Sequence, residues 1–183
     1  MDLELSAHDF RIVVSNHSPF EGDGPACDAA YRLDASESSS QFQPTTQHAV
    51  NVVDSVGHSR SCMLITGGGP TTVHDHSALV HGQALIIAVG PRVCALRVPS
   101  LELDWNVEVD SATCFGIYYS AKHDCYVSHG ELAIARVTLD GKVVWSTGGK
   151  DIFSEGFTLH DDVAEVIDFN RERYRIDLAT GRG

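Results

Sequence analysis

The chain has 183 residues, 43% of them hydrophobic, and sets 13 Lys and Arg against 25 Asp and Glu for a formal charge of −12. This length suits one domain with a proper core. The negative charge disfavours nucleic acid and anionic membrane as partners, because both would repel it. The acidic N-terminus has no apolar stretch of the signal-peptide kind. No run of about 18 apolar residues offers a membrane span, so the expected location is the cytoplasm. Five cysteines (Cys27, Cys62, Cys94, Cys114 and Cys125) are widely spaced without a CxxC pair. They read as buried free thiols in a reducing compartment, not as disulfides.

Phe10-Arg-Ile-Val-Val14 is the first predicted strand, ended by Asn16 and Pro19. Residues 18–25 have loop chemistry, rich in Gly and Pro. A second strand is predicted over 27–33, and the polar, Ser-rich stretch at 34–47 is expected to be weakly ordered. Residues 48–53 and 61–65 read as strands flanking a turn at 56–60, and 71–80 and 85–89 as further strands. Gly67-Gly-Gly-Pro70 lacks the Lys and the following helix of a phosphate-binding loop, and so reads as a strand connection.

From residue 83 onward the chain repeats. An apolar run ends at Gly90, a strand follows over 93–98, and Trp105 closes the unit; Gly130, 132–137 and Trp145 reproduce the order at the same Gly-to-Trp spacing. A third copy runs through 162–168 and 174–178 to Thr180-Gly181. Leu139-Asp-Gly-Lys142 is a tight turn, matched by residues 179–182 and replaced by Pro99-Ser100 in the first copy. A period near forty residues with several short strands per unit falls in the range of propeller blades. On this basis the fold is expected to be all-β, antiparallel and repeat-built, a single propeller-like domain over 1–183 with clear repeats from 83 to 183; a two-sheet β-sandwich is the alternative. The third copy stops short of a Trp strand, and residues 10–14, with Phe10 in place of the Trp, are the expected strand to complete its sheet.

Val89-Gly90, Ala95-Leu96, Trp105, Asp140-Gly141-Lys142, Trp145 and Thr180-Gly181 resemble the repeats of quinoprotein-type (pyrroloquinoline-quinone-like) β-propellers over the C-terminal hundred residues. The stretch with Cys114-Phe115, His129-Gly130-Glu131, Trp145 and Asp151-Ile152-Phe153 is similar to small bacterial proteins without an assigned function. The resemblance implies architecture only, since no quinone-binding or calcium-binding residue of that family has a counterpart here.

The chain holds ten histidines, densest at His74, His76 and His81. On a strand, His74 and His76 at i, i+2 would share a face, the arrangement in which two imidazoles bind one ion such as zinc, with His81 as a third ligand if a turn intervenes. The plainer reading is a polar turn whose histidines bond to backbone. His160, Asp162 and Glu155 put carboxylates near an imidazole, but no complete catalytic constellation is present. Trp105 and Trp145 are expected to be buried structural aromatics. Arg171, Arg173 and Arg175 would form a basic row, suited to an acidic partner or to a protected sheet edge. The expected function is therefore a non-catalytic cytoplasmic binding or protein-interaction module without a cofactor, its ligand a protein or a small molecule. The alternative is a metal-dependent hydrolase or other metal enzyme using His74, His76 and His81.

Overall fold

In a computed structural model, residues 2–17, 27–34 and 43–183 are described. The predicted loop at 18–25 and the Ser-rich part of the polar stretch lie outside these residues. Sixteen strands form four sheets among the described residues. The first contains β1 (Asp2–Ala7), β2 (Phe10–His17), β3 (Ala29–Arg32), β4 (Thr46–Val53) and β5 (Ser59–Thr66), in the order β1-β2-β4-β5-β3. The second runs β6 (Ala78–His81), β7 (Ala84–Val89), β8 (Arg92–Arg97) and β9 (Leu103–Glu108). The third runs β10 (Cys114–Ser120), β11 (Cys125–Gly130), β12 (Ala133–Val137) and β13 (Val143–Gly148). The fourth has β14 (Gly156–Leu159), β15 (Val163–Ile167) and β16 (Arg173–Asp177).

Strand alternation joins the sheets. Leu85, Ile87 and Val89 of β7, with Cys94 and Leu96 of β8, pack into a core shared with Ile12, Val14, Val50 and Leu64 of the first sheet. The intervening residues Ile86, Ala88, Val93 and Ala95 pack into a second core, with Ile117, Tyr126, Ala135 and Val137 of the third sheet. Cys125, Val127 and Ile134 turn the other way, onto Ala164, Val166, Ile176 and Leu178 of the fourth. Central strands buried on both faces read as nearly continuous apolar runs, as 84–89 does. Each fully buried aliphatic side chain in such a core contributes about 1.5–3 kcal/mol. Among the described residues no core joins the fourth sheet to the first. The sheets thus stack side by side in chain order, as propeller blades do, and not as one two-sheet sandwich.

Three expectations need correction. Residues 2–7 form a strand, with Leu3, Leu5 and Ala7 turned inward and Asp2, Glu4 and Ser6 outward. The pairing is not uniformly antiparallel, because β3 runs parallel to β5. Residues 10–14 do not complete the C-terminal sheet: β2 lies between β1 and β4, in register from Arg11 opposite Val53 to His17 opposite Gln47. The apolar residues Ile12 and Val14 are fully buried against the second sheet, which holds this strand at the opposite end of the stack.

The conserved spacing of the tryptophans has a structural cause. Trp105 Nε1–H donates to the Leu139 carbonyl at 3.1 Å, and Trp145 Nε1–H to the Leu178 carbonyl at 3.1 Å. Each indole lies on the turn glycine of the following sheet: a Cβ at Gly141 would come within 2.5 Å of Trp105, and one at Gly181 within 2.7 Å of Trp145. Both glycines also have positive φ, +82° and +72°, where a side chain is strained. Tyr31 of β3 takes the same place for the first sheet, donating from its hydroxyl to the Leu101 carbonyl at 3.0 Å. Both indoles are half-buried, less covered than expected, because their outer faces look to solvent.

Two outcomes follow for chemical denaturation. Gly141→Ala and Gly181→Ala should each destabilise by about 1–3 kcal/mol, combining positive-φ strain with the clash against the indole. Trp145→Ala should cost about 2–3 kcal/mol, below the loss for a fully buried aromatic. Neutral glycine variants would show that the ring-on-turn contact is not made.

Candidate functional site

The first strands of neighbouring sheets meet along one edge of the stack, with β6 against both β1 and β10. Residues 71–77 are not a strand but a connection ending in a turn, where Ser77 N–H bonds the His74 carbonyl at 3.0 Å. The turn is fastened to the third sheet by Ile117 N–H donating to the His76 carbonyl at 2.9 Å. The i, i+2 strand geometry assumed for His74 and His76 is therefore absent.

Hydrogen bonds fix the state of His74. Its Nε2 lies 2.5 Å from the Phe115 carbonyl, which can only accept, so Nε2 carries the proton. Its Nδ1 accepts the His76 backbone N–H at 3.2 Å. No lone pair remains for a metal. His81 is engaged elsewhere, with Nδ1 at 2.9 Å from the Tyr126 hydroxyl and its ring 4.2 Å from Tyr119. The structure thus does not bring His74, His76 and His81 together. No group of three His, Cys, Asp or Glu side chains suited to a metal ion occurs among the described residues.

The other candidates are also dispersed. Asp162 accepts from Lys122 and from His123 Nε2 at 3.1 Å, linking the third and fourth sheets, while His160 reaches Glu165 at 3.5 Å. Arg171 has a positive φ and lies in the turn before β16, so only Arg173 and Arg175 form the basic row, and Arg175 pairs with Glu165 at 2.8 Å. All five cysteines are free; burial pushes the Cys62 and Cys114 thiols up to about 12 and Cys94 higher still, which leaves them protonated and unreactive.

His74 and His76 do open onto a depression of about 430 Å³ between the third and fourth sheets, shared with Phe115, Tyr118, His129, Glu155 and Phe157. Its rings form a series. His76 lies 4.8 Å from Tyr118, Tyr118 4.5 Å from Phe157, and Phe157 is stacked at 4.9 Å and 16° on His129, which meets Phe115 edge-on at 5.4 Å. Sequence reasoning missed Tyr118 and Phe157; the available signal was an aromatic on the first strand of two successive units. Among the described residues neither the His76 ring nitrogens nor the Tyr118 hydroxyl makes a hydrogen bond to protein. A second depression, about 460 Å³, covers the outer face of the fourth sheet. Glu165 and Arg175 in its lining pair with each other at 2.8 Å, leaving Arg173 as its third charged residue; the ring-lined depression, where aromatic groups of two sheets converge, is the candidate recognition site.

Two buried imidazoles adjoin this edge. His129 Nε2–H donates to the Phe153 carbonyl at 3.1 Å, and burial outweighs that hydrogen bond and pushes its pKa down to about 4. His48 is held between the Gln47 carbonyl at 3.1 Å and the Thr71 hydroxyl at 3.3 Å, and burial lowers it likewise to about 4. Unfolding returns both to an ordinary value near 6.5. Between about pH 6.5 and 4 the unfolded chain therefore binds more protons, and stability falls as pH falls. Each histidine should remove about 2 kcal/mol of unfolding free energy between pH 7 and pH 5. Urea titrations at the two pH values should show this loss, and His129→Gln should remove about half of it.

No protein-family model matches the chain, and no curated protein matches it in sequence. Among solved structures it is similar to the WD40 β-propeller domain of Doa1, with a TM-score of 0.53 and 12% identity over 98% of this chain and 51% of that one. It is also similar to a chain of a mitotic checkpoint complex, with a TM-score of 0.48 and 13% identity over 75% of this chain and 45% of that one. The chain spans about half the length of the structures it matches. The first likeness establishes a propeller-like, all-β fold. It extends over nearly the whole chain, so the architecture is not confined to the C-terminal hundred residues, and a WD40 neighbour gives no support to the quinoprotein subtype. Among the described residues no helix is long and apolar enough to cross a membrane.

Proposed function

We propose that this chain is a non-catalytic binding module that holds a protein ligand in the ring-lined depression between its third and fourth sheets. The observation that carries this reading is the convergence of His76, Tyr118, His129 and Phe157, from four separate segments, around one opening. Strands present Tyr118, His129 and Phe157, and a turn fastened to the third sheet presents His76; rings of this kind supply large contact area at low entropic cost. The groups at the opening are recognition groups: π-faces, a phenol, an exposed imidazole and the Glu155 carboxylate. The propeller-like fold supports the reading, because such folds carry their function on loops and strand ends around a rigid frame. The free, buried thiols fit a reducing compartment such as the cytoplasm.

A phage-displayed library of random peptides, selected on the folded chain, tests the assignment. Peptides recovered on the wild type should bind the His76→Ala/Tyr118→Ala double variant at least about tenfold more weakly, the loss expected on truncating a contact centre. Equal binding to the wild type and a folded double variant would place the binding surface elsewhere.

A further inference from the structure

The depression has a charge character that selects among ligands. No Lys or Arg lines it. Its carboxylate is Glu155, and a second, Asp75, stands exposed in the turn between His74 and His76. His74 is fixed in the neutral form by its two hydrogen bonds, so it offers no positive charge, and His129 donates its Nε2 proton to the Phe153 carbonyl. The chain as a whole carries −12, which attracts cations over a distance.

We infer, building on the binding-module reading above, that the depression takes the guanidinium of an arginine carried on a basic protein segment. A guanidinium is planar and weakly hydrated, so it slides against ring faces while its N–H fork reaches a carboxylate. His76 and Tyr118 supply the faces, and Glu155 supplies the acceptor. The alternatives fit worse. An acidic side chain would meet the Glu155 carboxylate in a lining that holds no Lys or Arg of its own. A purely apolar one would cover the Tyr118 hydroxyl without giving it a partner, which is costly. Glu155 is held by two long contacts, Arg171 at 3.4 Å from a side chain 81% exposed and the Ser154 hydroxyl at 3.5 Å, and contacts of such length are weak enough to exchange. Arg171 thus occupies the carboxylate from the chain's own side and competes with the incoming arginine.

The test uses four capped pentapeptides, Gly-Gly-X-Gly-Gly, in which X is arginine, citrulline, phenylalanine or glutamate, titrated into the ¹⁵N-labelled full chain at pH 7.5 and low salt. Citrulline keeps the shape of arginine and removes its charge. The arginine peptide should shift the amides of 74–76, 115–118 and 154–157 and bind about five- to tenfold more tightly than the citrulline peptide. Glu155→Gln should weaken it by a similar factor, and Arg171→Gln should strengthen it about twofold, an effect that loss of structure would not produce. Equal binding of the citrulline peptide, or preference for phenylalanine or glutamate at the same amides, would overturn the arginine inference and leave the binding site standing. Failure of all four peptides to perturb these amides would remove the binding-site reading as well.

Discussion

Ile86 and Ile87 are neighbours in one strand, yet they belong to different cores. The same division recurs at Ile134 and Ala135. Because side chains alternate at every residue, a central strand in this molecule must satisfy two sheets at once. A slip of one residue would exchange the two sets and misplace both. Stacking in chain order therefore depends on this double burial, and the turns and latches act on a register it has already set.

The latches refine that register at the periphery. The indole of one sheet rests on the turn of the next, donating its N–H to a backbone carbonyl there. A related role falls to side chains between sheets: Asp110 is buried and accepts four backbone N–H groups, from Ala112 and Thr113 on one oxygen and from Leu132 and Ala133 on the other. Gly130 must be glycine there, since a Cβ would lie 2.3 Å from the Asp110 carboxylate. Along the inner edge the connection is made by imidazoles and rings. Blade-to-blade cohesion and the candidate recognition surface thus share His74, His129 and Phe157.

Much of the fold was legible in the sequence because the repeat preserves local chemistry. The Gly-to-Trp interval, the Asp-Gly-Lys turn and the apolar runs led correctly to the second and third sheets. The N-terminal sheet was harder. Its first strand is short and half polar, its β3 pairs parallel, and Tyr31 performs the task given to Trp elsewhere, so no common residue marks the repeat. The histidine cluster was visible as composition, but its geometry was not. Whether residues 71–77 extend or turn is decided in part by the bonds from Ala88 N–H to the Ser77 carbonyl and from Ile117 N–H to the His76 carbonyl, whose donors lie outside the local pattern. The ring series escaped notice for a related reason: Tyr118 and Phe157 are ordinary strand aromatics until two sheets are placed side by side.

The ring-on-turn contact is the most direct test of the stacked arrangement, because it joins consecutive sheets at the same relative place twice. Proton NOEs to the two indole Nε1–H groups in the ¹⁵N-labelled chain measure it. The structure predicts a cross-peak from Trp105 to the Gly141 α-protons and an equivalent one from Trp145 to Gly181, with both indole protons slow to exchange. Rapidly exchanging indoles without either cross-peak would contradict the arrangement, whatever the strand content of the protein.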